Sequence, residues 1–157
     1  MTLHHAPDGS RRRLTLQRLH ILVVEDDADS RAMIARFLRQ EGARITDARD
    51  AFEALQVFQL VRPDLLLSDI AMPGMDGHAL IRQVRSSPPV LGAFVPAIAL
   101  SAFGSPDDRL SALGAGFDEH LVKPVDFGFM LSTITRVVRD KRAAFERASV
   151  PPPVARP

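Results

Sequence analysis

Short apolar runs alternate with amphipathic segments along the chain from about residue 20 to residue 139. The clearest runs, HILVV at 20–24 and LLLS at 65–68, are rich in β-branched residues or leucine, as strands buried on both faces of a sheet usually are. A segment with helical periodicity follows each run. The predicted strands cover residues 20–24, 43–47, 65–68, 94–100 and 117–122.

The segments between these runs carry apolar residues at every third or fourth position, which predicts amphipathic helices. In the second of them Phe52, Leu55 and Phe58 share one face. Gly42 and Gly114 are expected to end the first and fourth helices. The predicted helices cover residues 29–39, 50–60, 78–85, 106–113 and 126 to about 139, with 148 as an alternative end for the last.

Five strand–helix units in tandem predict an α/β fold, in which a doubly wound parallel sheet of five strands is covered by helices on both faces. The fourth strand contains Pro96, which indicates either an irregular start or a position at the edge of the sheet. The segment 86–96 before it is proline-rich and slightly long for a connecting loop. We expect this segment to change only the surface.

Charge divides the 157-residue chain into an acidic body and two basic ends. Residues 19–140 hold 12 Lys and Arg against 17 Asp and Glu, whereas residues 1–18 and 141–157 each have a net charge of +3. Both basic segments are short, so we interpret the ends as solvated rather than as nucleic-acid contacts. The predicted organisation is a flexible basic tail over 1–18, one folded domain over 19–140, and a helix extension with a Pro-rich tail over 141–157.

The chain contains no cysteine, which excludes a disulfide framework and thiolate chemistry. No apolar run approaches the roughly 18 residues that a membrane-spanning helix needs. We therefore expect a cytoplasmic protein without a membrane segment.

Three acidic residues stand at the ends of two predicted strands. Glu25 and Asp26 follow the first strand, and Asp69 follows the third. Doubly wound sheets bind ligands outside the carboxyl ends of their strands, so these carboxylates share one pocket if the two strands are neighbours. Such a cluster repels itself unless a cation binds or a pKa rises. Oxygen ligands without His or Cys favour Mg²⁺.

Ser101 and Lys123 stand at the ends of the fourth and fifth predicted strands. A lysine is a compact charge suited to phosphate oxygens, and a hydroxyl can donate to the same anion. Together these groups fit attack by the Asp69 carboxylate on a phosphoryl donor to form an aspartyl phosphate. The alternative for Asp69 is a structural role in capping the turn that follows it.

Four motifs at these strand ends resemble the response-regulator receiver domain of two-component signalling. They are ILVVEDD at 21–27, PDLLLSDIAMPGMDG at 63–77, ALSA at 99–102 and HLVKP at 120–124. The resemblance runs from about residue 20 to residue 139. It implies a (βα)5 flavodoxin-like fold, phosphorylation by a histidine kinase, and Mg²⁺ as the cofactor, with Mn²⁺ as an alternative.

The resemblance also assigns roles around the metal. Glu25 and Asp26 match the acidic pair that binds it, with Asp26 as the direct ligand. Asp69 matches the phosphoacceptor and a further ligand, and the backbone carbonyl of Ala71 completes the set. Glu25 is expected to act either directly or through water.

Further matches concern the phosphoryl group and the switch. Lys123 matches the lysine that binds the phosphoryl group, and its bond to Pro124 is expected to be cis. Ser101 matches the switch hydroxyl. The family's switch ring, Tyr or Phe, is replaced here by His120, which puts the aromatic switch in doubt and leaves a half-buried core histidine as the alternative.

The resemblance implies a signalling phosphoacceptor rather than an enzyme, with at most slow self-phosphorylation from small donors and slow self-dephosphorylation. Its expected partners are a sensor histidine kinase or a histidine phosphotransfer protein, and a target that binds the face made by the fourth helix, fifth strand and fifth helix. A phosphorylation-dependent homodimer remains open. We expect no DNA-binding domain.

Three alternatives remain. The chain could be the receiver fragment of a longer protein such as a hybrid histidine kinase. An aspartate-nucleophile phosphotransferase resembling the haloacid dehalogenases would need a second Asp two residues after Asp69, where this chain has Ala71. A degenerate receiver that serves only as a scaffold is disfavoured by the presence of Asp26, Asp69, Ser101 and Lys123.

Overall fold

The computed structural model describes residues 15–151 and 153–154. Five parallel strands form one sheet in the order β2-β1-β3-β4-β5, which confirms the doubly wound architecture. Strands β1, β3 and β4 are buried almost throughout, whereas β2 and β5 are only partly buried. The strands are β1 His20–Val24, β2 Arg44–Ala48, β3 Leu65–Asp69, β4 Ala97–Ser101 and β5 Glu119–Val122.

Five α-helices cover the sheet, and in each the side chain of the N-cap residue accepts a backbone N–H of the first turn. The helices are α1 Ala28–Gln40, α2 Ala51–Val61, α3 Gly77–Arg85, α4 Pro106–Ala115 and α5 Phe127–Ser149. One apolar layer includes residues of α2, α3 and α4, and the other includes residues of α1 and α5. Within the described part of the chain, no helix has both the length and the apolar character that crossing a membrane requires.

The start of β4 was predicted wrongly. The strand begins at Ala97 rather than at residue 94, because the chain first turns at Gly92, with φ of 100°, and then passes through Pro96. Since β4 lies between β3 and β5, Pro96 marks an irregular start and not an edge strand. β5 likewise begins at Glu119, two residues later than expected.

Two helix predictions also need correction. Gly114 does not end α4, which continues to Ala115 and ends at Gly116, where φ is 130°. Phe52 does not share the burial of Phe58, since it lies 56% exposed in the first turn of α2, against the loop residue Gly74. The apolar periodicity correctly predicted that α2 is a helix. Of the apolar face formed by Phe52, Leu55 and Phe58, however, the end at Phe58 is buried and the end at Phe52 is exposed.

The folded unit begins before residue 19. Residues 15–18 form a turn in which Leu16 is fully buried, and the Leu16 amide donates to the carbonyl of Glu41 at 2.9 Å. At the other end, α5 continues to Ser149, close to the alternative end predicted at 148. Residues 1–14, 152 and 155–157, which hold much of the two predicted tails, lie outside the described residues.

The side chain of Arg85 holds the loop between α3 and β4 in place through hydrogen bonds to backbone carbonyls. Its Nε donates to the carbonyl of Gly116 at 2.9 Å, and its Nη1 donates to the carbonyls of Ala93, at 3.0 Å, and Val95. Its Nη2 donates to the carboxylate of Asp118 at 3.1 Å. One guanidinium therefore joins the end of α3, the loop before β4 and the segment before β5.

Candidate functional site

The sheet order brings the three predicted acids together. Strands β1 and β3 are neighbours, and Val24 is in register with Ser68. Glu25 and Asp69, the residues that follow these two, therefore lie side by side at the carboxyl edge of the sheet. Glu25, Asp26 and Asp69 each offer a carboxylate oxygen, and these oxygens all lie within 4.8 Å of one another. Glu25 is 1% exposed and Asp69 is 5% exposed, whereas Asp26 is open to solvent. The result is a cluster of three acids at the carboxyl edge of the sheet, which we call the acidic pocket.

Lys123 reaches the same pocket from the end of β5. Its Nζ lies 2.7 Å from Oε2 of Glu25 and 3.2 Å from Oδ2 of Asp69. Its amide donates to the carbonyl of Ser101 at 2.7 Å, and the Lys123–Pro124 peptide bond is cis, as predicted. The lysine contacts two of the three acids, so Glu25 is an ion-pair partner as well as a candidate metal ligand.

Burial and charge act on these groups in opposite directions. Burial raises the pKa of Glu25, and the charge of Asp69 raises it further, while the hydrogen bond from Lys123 lowers it. Burial alone would lower the pKa of Lys123, but the hydrogen bond to Glu25 and the charge of Asp69 outweigh it, so that pKa is raised. A charged lysine thus pairs with two of the three acids, Glu25 and Asp69, and leaves the pocket acidic. The donor set contains only oxygen, which fits Mg²⁺.

Lys123→Ala is expected to destabilise the fold in the absence of divalent cations, because it leaves buried acids without their ammonium partner. We expect a loss of about 2 kcal/mol of unfolding free energy, of which millimolar Mg²⁺ restores a large part. Melting curves with EDTA and with Mg²⁺ provide the measurement.

Lys141→Ala is the matched control for that variant. Lys141 pairs with Asp118 at 2.7 Å, outside the acidic pocket, and Asp118 keeps Arg85 as a second partner. This variant should lose about 0.5 kcal/mol of unfolding free energy, and Mg²⁺ should not restore that loss. Equal effects of Mg²⁺ on the two variants would count against a cation site beside Lys123.

Two residues that support the pocket were not predicted from sequence. Gly77 donates its amide to the carbonyl of Ile70 at 2.8 Å, and a Cβ on Gly77 would lie 2.3 Å from the carbonyl oxygen of Asp69. Arg31 donates from Nη1 to the carbonyl of Glu25 at 2.8 Å. The Asp-Gly pair at the start of α3 is a sequence signal for a close backbone approach, but no local pattern distinguishes Arg31 from the other arginines of α1.

The hydroxyl of Ser101 lies at the same edge but is turned toward its own loop. It donates to the carbonyl of Phe103 at 3.1 Å and accepts from the Phe103 amide at 3.0 Å. Ser101 is buried, and none of the hydrogen bonds found links it to the acids. Its role as a switch therefore stays a prediction, as does the role of the Ala71 carbonyl.

His120 points inward from β5 and is 8% exposed. Its Nε2 is buried without a hydrogen-bond partner, and the same holds for Nε2 of His78. Burial lowers the pKa of His120; Asp108 and Glu119 raise it less, while Arg109 and His78 lower it further. The ring is therefore neutral at neutral pH and occupies the interior position of a core histidine.

The lowered pKa of His120 predicts a loss of stability in mild acid. The folded state binds the proton less readily than the unfolded state. The contribution of His120 to the free energy of unfolding is therefore fully present above the ordinary histidine pKa of about 6.5, and it is lost as the pH drops below that value. Denaturant unfolding at several pH values tests this. The decline in the free energy of unfolding between about pH 6.5 and about pH 5 should be smaller in His120→Phe than in the unaltered protein. Equal declines would mean that His120 does not cause the effect.

Two relatives show how far the similarity extends. An uncharacterized 14.6 kDa protein of Leptolyngbya boryana is 48% identical over 112 residues, covering 71% of this chain and 84% of that protein. The transcriptional regulatory protein PrrA of Mycobacterium leprae is 36% identical over 129 residues, covering 82% of this chain and 54% of that protein. The chain thus spans about half the length of that transcriptional regulator.

Solved structures and a family model agree with these relatives. The chemotaxis protein CheY4 of Vibrio cholerae superposes with a TM-score of 0.71 at 31% identity, covering 76% of this chain and 98% of that one. A family model described as the response regulator receiver domain matches residues 21–135. Together with the parallel sheet and the order of its strands, these matches show that the chain belongs to the response-regulator receiver domain family.

Proposed function

We propose that Asp69 accepts a phosphoryl group from the phosphohistidine of a sensor histidine kinase or of a histidine phosphotransfer protein. The observation that carries the proposal is the setting of the Asp69 carboxylate. It lies at the end of β3, 3.2 Å from the ammonium of Lys123 and within reach of the oxygens of Glu25 and Asp26. A nucleophile, a counter-charge for the transferred group and oxygen donors for a metal thus lie within one pocket.

In this reaction an Asp69 oxygen attacks the phosphorus atom, and a P–O bond forms as the P–N bond to the donor imidazole breaks. The departing electron pair stays on the imidazole nitrogen, which solvent reprotonates. Lys123 needs only a small movement to neutralise charge on the phosphoryl oxygens, because its Nζ already contacts Asp69. The transfer is therefore a problem of position and charge, and no separate acid–base residue is required.

Glu25, Asp26, Asp69 and the Ala71 carbonyl are the groups that would hold Mg²⁺, or Mn²⁺ in its place. When bound, the ion neutralises the acidic pocket and the charge on the transferred group. The protein then acts as a signalling phosphoacceptor in the cytoplasm, with slow self-phosphorylation from small donors and slow self-dephosphorylation. The same chemistry applies to a receiver within a longer chain such as a hybrid histidine kinase.

The output surface in this proposal is the face formed by α4, β5 and α5. It exposes Leu110, Val122 and Phe129. A phosphoryl oxygen is a stronger acceptor than the carbonyl of Phe103, so phosphorylation would draw the Ser101 hydroxyl away from its loop. The freed loop alters the edge of this face, which either a downstream target or a second phosphorylated copy then binds.

Labelling with acetyl phosphate tests the proposal. Intact-mass spectrometry should show the addition of one phosphoryl group when Mg²⁺ is present and none when EDTA replaces it. A phosphorylated histidine phosphotransfer protein should lose its label to this chain under the same conditions. No increase in mass from either donor with Mg²⁺ would contradict the proposed function.

A further inference from the structure

A second cavity opens at the amino edge of the sheet, the edge opposite the acidic pocket. Its volume is about 340 Å³, and it lies where β1 and β2 begin and α2 ends. Three of its lining residues are arginines, contributed by three separate segments. The lining consists of Arg18, Leu19, His20, Gly42, Arg44, Val61, Arg62 and Asp64.

The positive charge of this cavity is poorly compensated. Among the described residues, no ion pair with a carboxylate was found for Arg18, Arg44 or Arg62. The one acid in the lining, Asp64, accepts the backbone amide of His20 at 2.8 Å, and its nearest cation, at 3.9 Å, is Arg142 outside the cavity. Three exposed arginines therefore surround one concave surface, and Asp64 is the one carboxylate in its lining.

His20 holds one of these arginines against the cavity. Nη2 of Arg44 lies 3.2 Å from Nδ1 of His20, and because a guanidinium can only donate, that nitrogen accepts. The other ring nitrogen then donates to the hydroxyl of Thr46 at 2.7 Å. The imidazole thus positions Arg44 with both of its nitrogens occupied.

The backbone at this cavity is also unusual. Among the described residues, Arg18 and Arg62 are the two non-glycine residues with positive φ, at 72° and 45°. Both line the cavity. Arg62 stands in the left-handed conformation at the end of α2, a position that favours glycine. Strained conformations of this kind cluster at functional sites, where the function of the side chain offsets the energetic cost of the strained backbone.

We propose that this cavity binds a small phosphorylated anion, held by the guanidinium groups of Arg18, Arg44 and Arg62. Arginine presents a planar fork of donors that matches phosphate geometry, and three such forks suit two linked phosphoryl groups. No phenylalanine lines the cavity, and the ring of His20 is engaged by Arg44 and Thr46, so the recognition is of the phosphoryl groups and not of a stacked base. The site is independent of the phosphoacceptor at the other edge of the sheet.

An NMR titration with sodium pyrophosphate, without divalent cations, tests this site. The backbone amides of residues 18–20, 42–44 and 61–64 should shift with saturable binding. Arg44→Gln should weaken that binding about tenfold, which corresponds to one charge-assisted hydrogen-bond partner. Arg82→Gln, which removes an exposed arginine on α3 outside the lining, should change it less than twofold.

Arg62→Gly separates a binding role from a structural one. Glycine relieves the left-handed backbone, so the melting temperature should rise by about 3 °C while the affinity for pyrophosphate falls about tenfold. An arginine that serves the fold would instead lose stability on this substitution.

Four results would overturn the proposal: no shifts at millimolar pyrophosphate, shifts confined to the surroundings of Lys123, equal weakening by Arg82→Gln, or unchanged affinity in Arg62→Gly. Vesicles with anionic headgroups provide a further comparison. Binding to these vesicles without binding to pyrophosphate would assign the basic surface to a membrane and would also overturn the proposal.

Discussion

Asparagine at position 69 is expected to abolish phosphoryl transfer, reducing labelling by acetyl phosphate at least about 100-fold. The amide has nearly the volume of the carboxylate but no anionic oxygen to attack phosphorus. Asp69 is buried at the end of β3, so an isosteric replacement keeps the packing while removing the nucleophile. Intact-mass spectrometry at equal donor and Mg²⁺ concentrations provides the measurement.

Asp107→Asn is the control for that variant. Asp107 is an exposed carboxylate in the first turn of α4, so its loss should leave labelling unchanged. Circular dichroism of both variants should match the unaltered protein. Labelling of Asp69→Asn to the same extent as the unaltered protein would show that another residue accepts the phosphoryl group.

Alanine at position 77 is expected to destabilise the domain by about 3 kcal/mol. Its Cβ would stand 2.3 Å from the carbonyl oxygen of Asp69 and 2.8 Å from Cα of Ile70. Both are backbone atoms, so no rotation of a side chain can relieve the overlap, and the end of β3 must move instead. Denaturant unfolding followed by circular dichroism measures the loss, and the labelling rate should fall with it because Asp69 is displaced.

Gly114→Ala is the matched comparison. Gly114 lies inside α4, and an added Cβ would meet nothing within 4 Å. Alanine favours the helix over glycine by about 1 kcal/mol, so this variant should be slightly more stable than the unaltered protein. A stability change of the same sign and size at both glycines would remove the steric explanation for Gly77.

The fold and the position of the acids could be predicted because both depend on patterns within short segments. Apolar runs buried on both faces give strands, and the residue after each run lies at the carboxyl edge whatever the neighbouring loops do. Glu25, Asp26 and Asp69 therefore come together once β1 and β3 pair. The same argument placed Lys123 at this edge.

The details that sequence missed depend on contacts between distant segments. The pairing of Lys123 with Glu25 joins residues 98 positions apart, and no local pattern encodes it. Phe52 is exposed because its ring lies against the loop residue Gly74, a contact between segments that are distant in sequence. The two left-handed arginines were also missed, because glycine or asparagine is the sequence signal for that conformation.

The guanidinium of Arg85 has a consequence for local unfolding. It bonds to carbonyls on both sides of β4, at Ala93 and Val95 before the strand and at Gly116 after α4. A surface loop normally opens by itself, so its amide hydrogens exchange with deuterium far sooner than those of the core. Here the segment before β4 cannot open without releasing Arg85 at the end of α3. Its amides should therefore exchange together with the last turn of α3, as one cooperative unit.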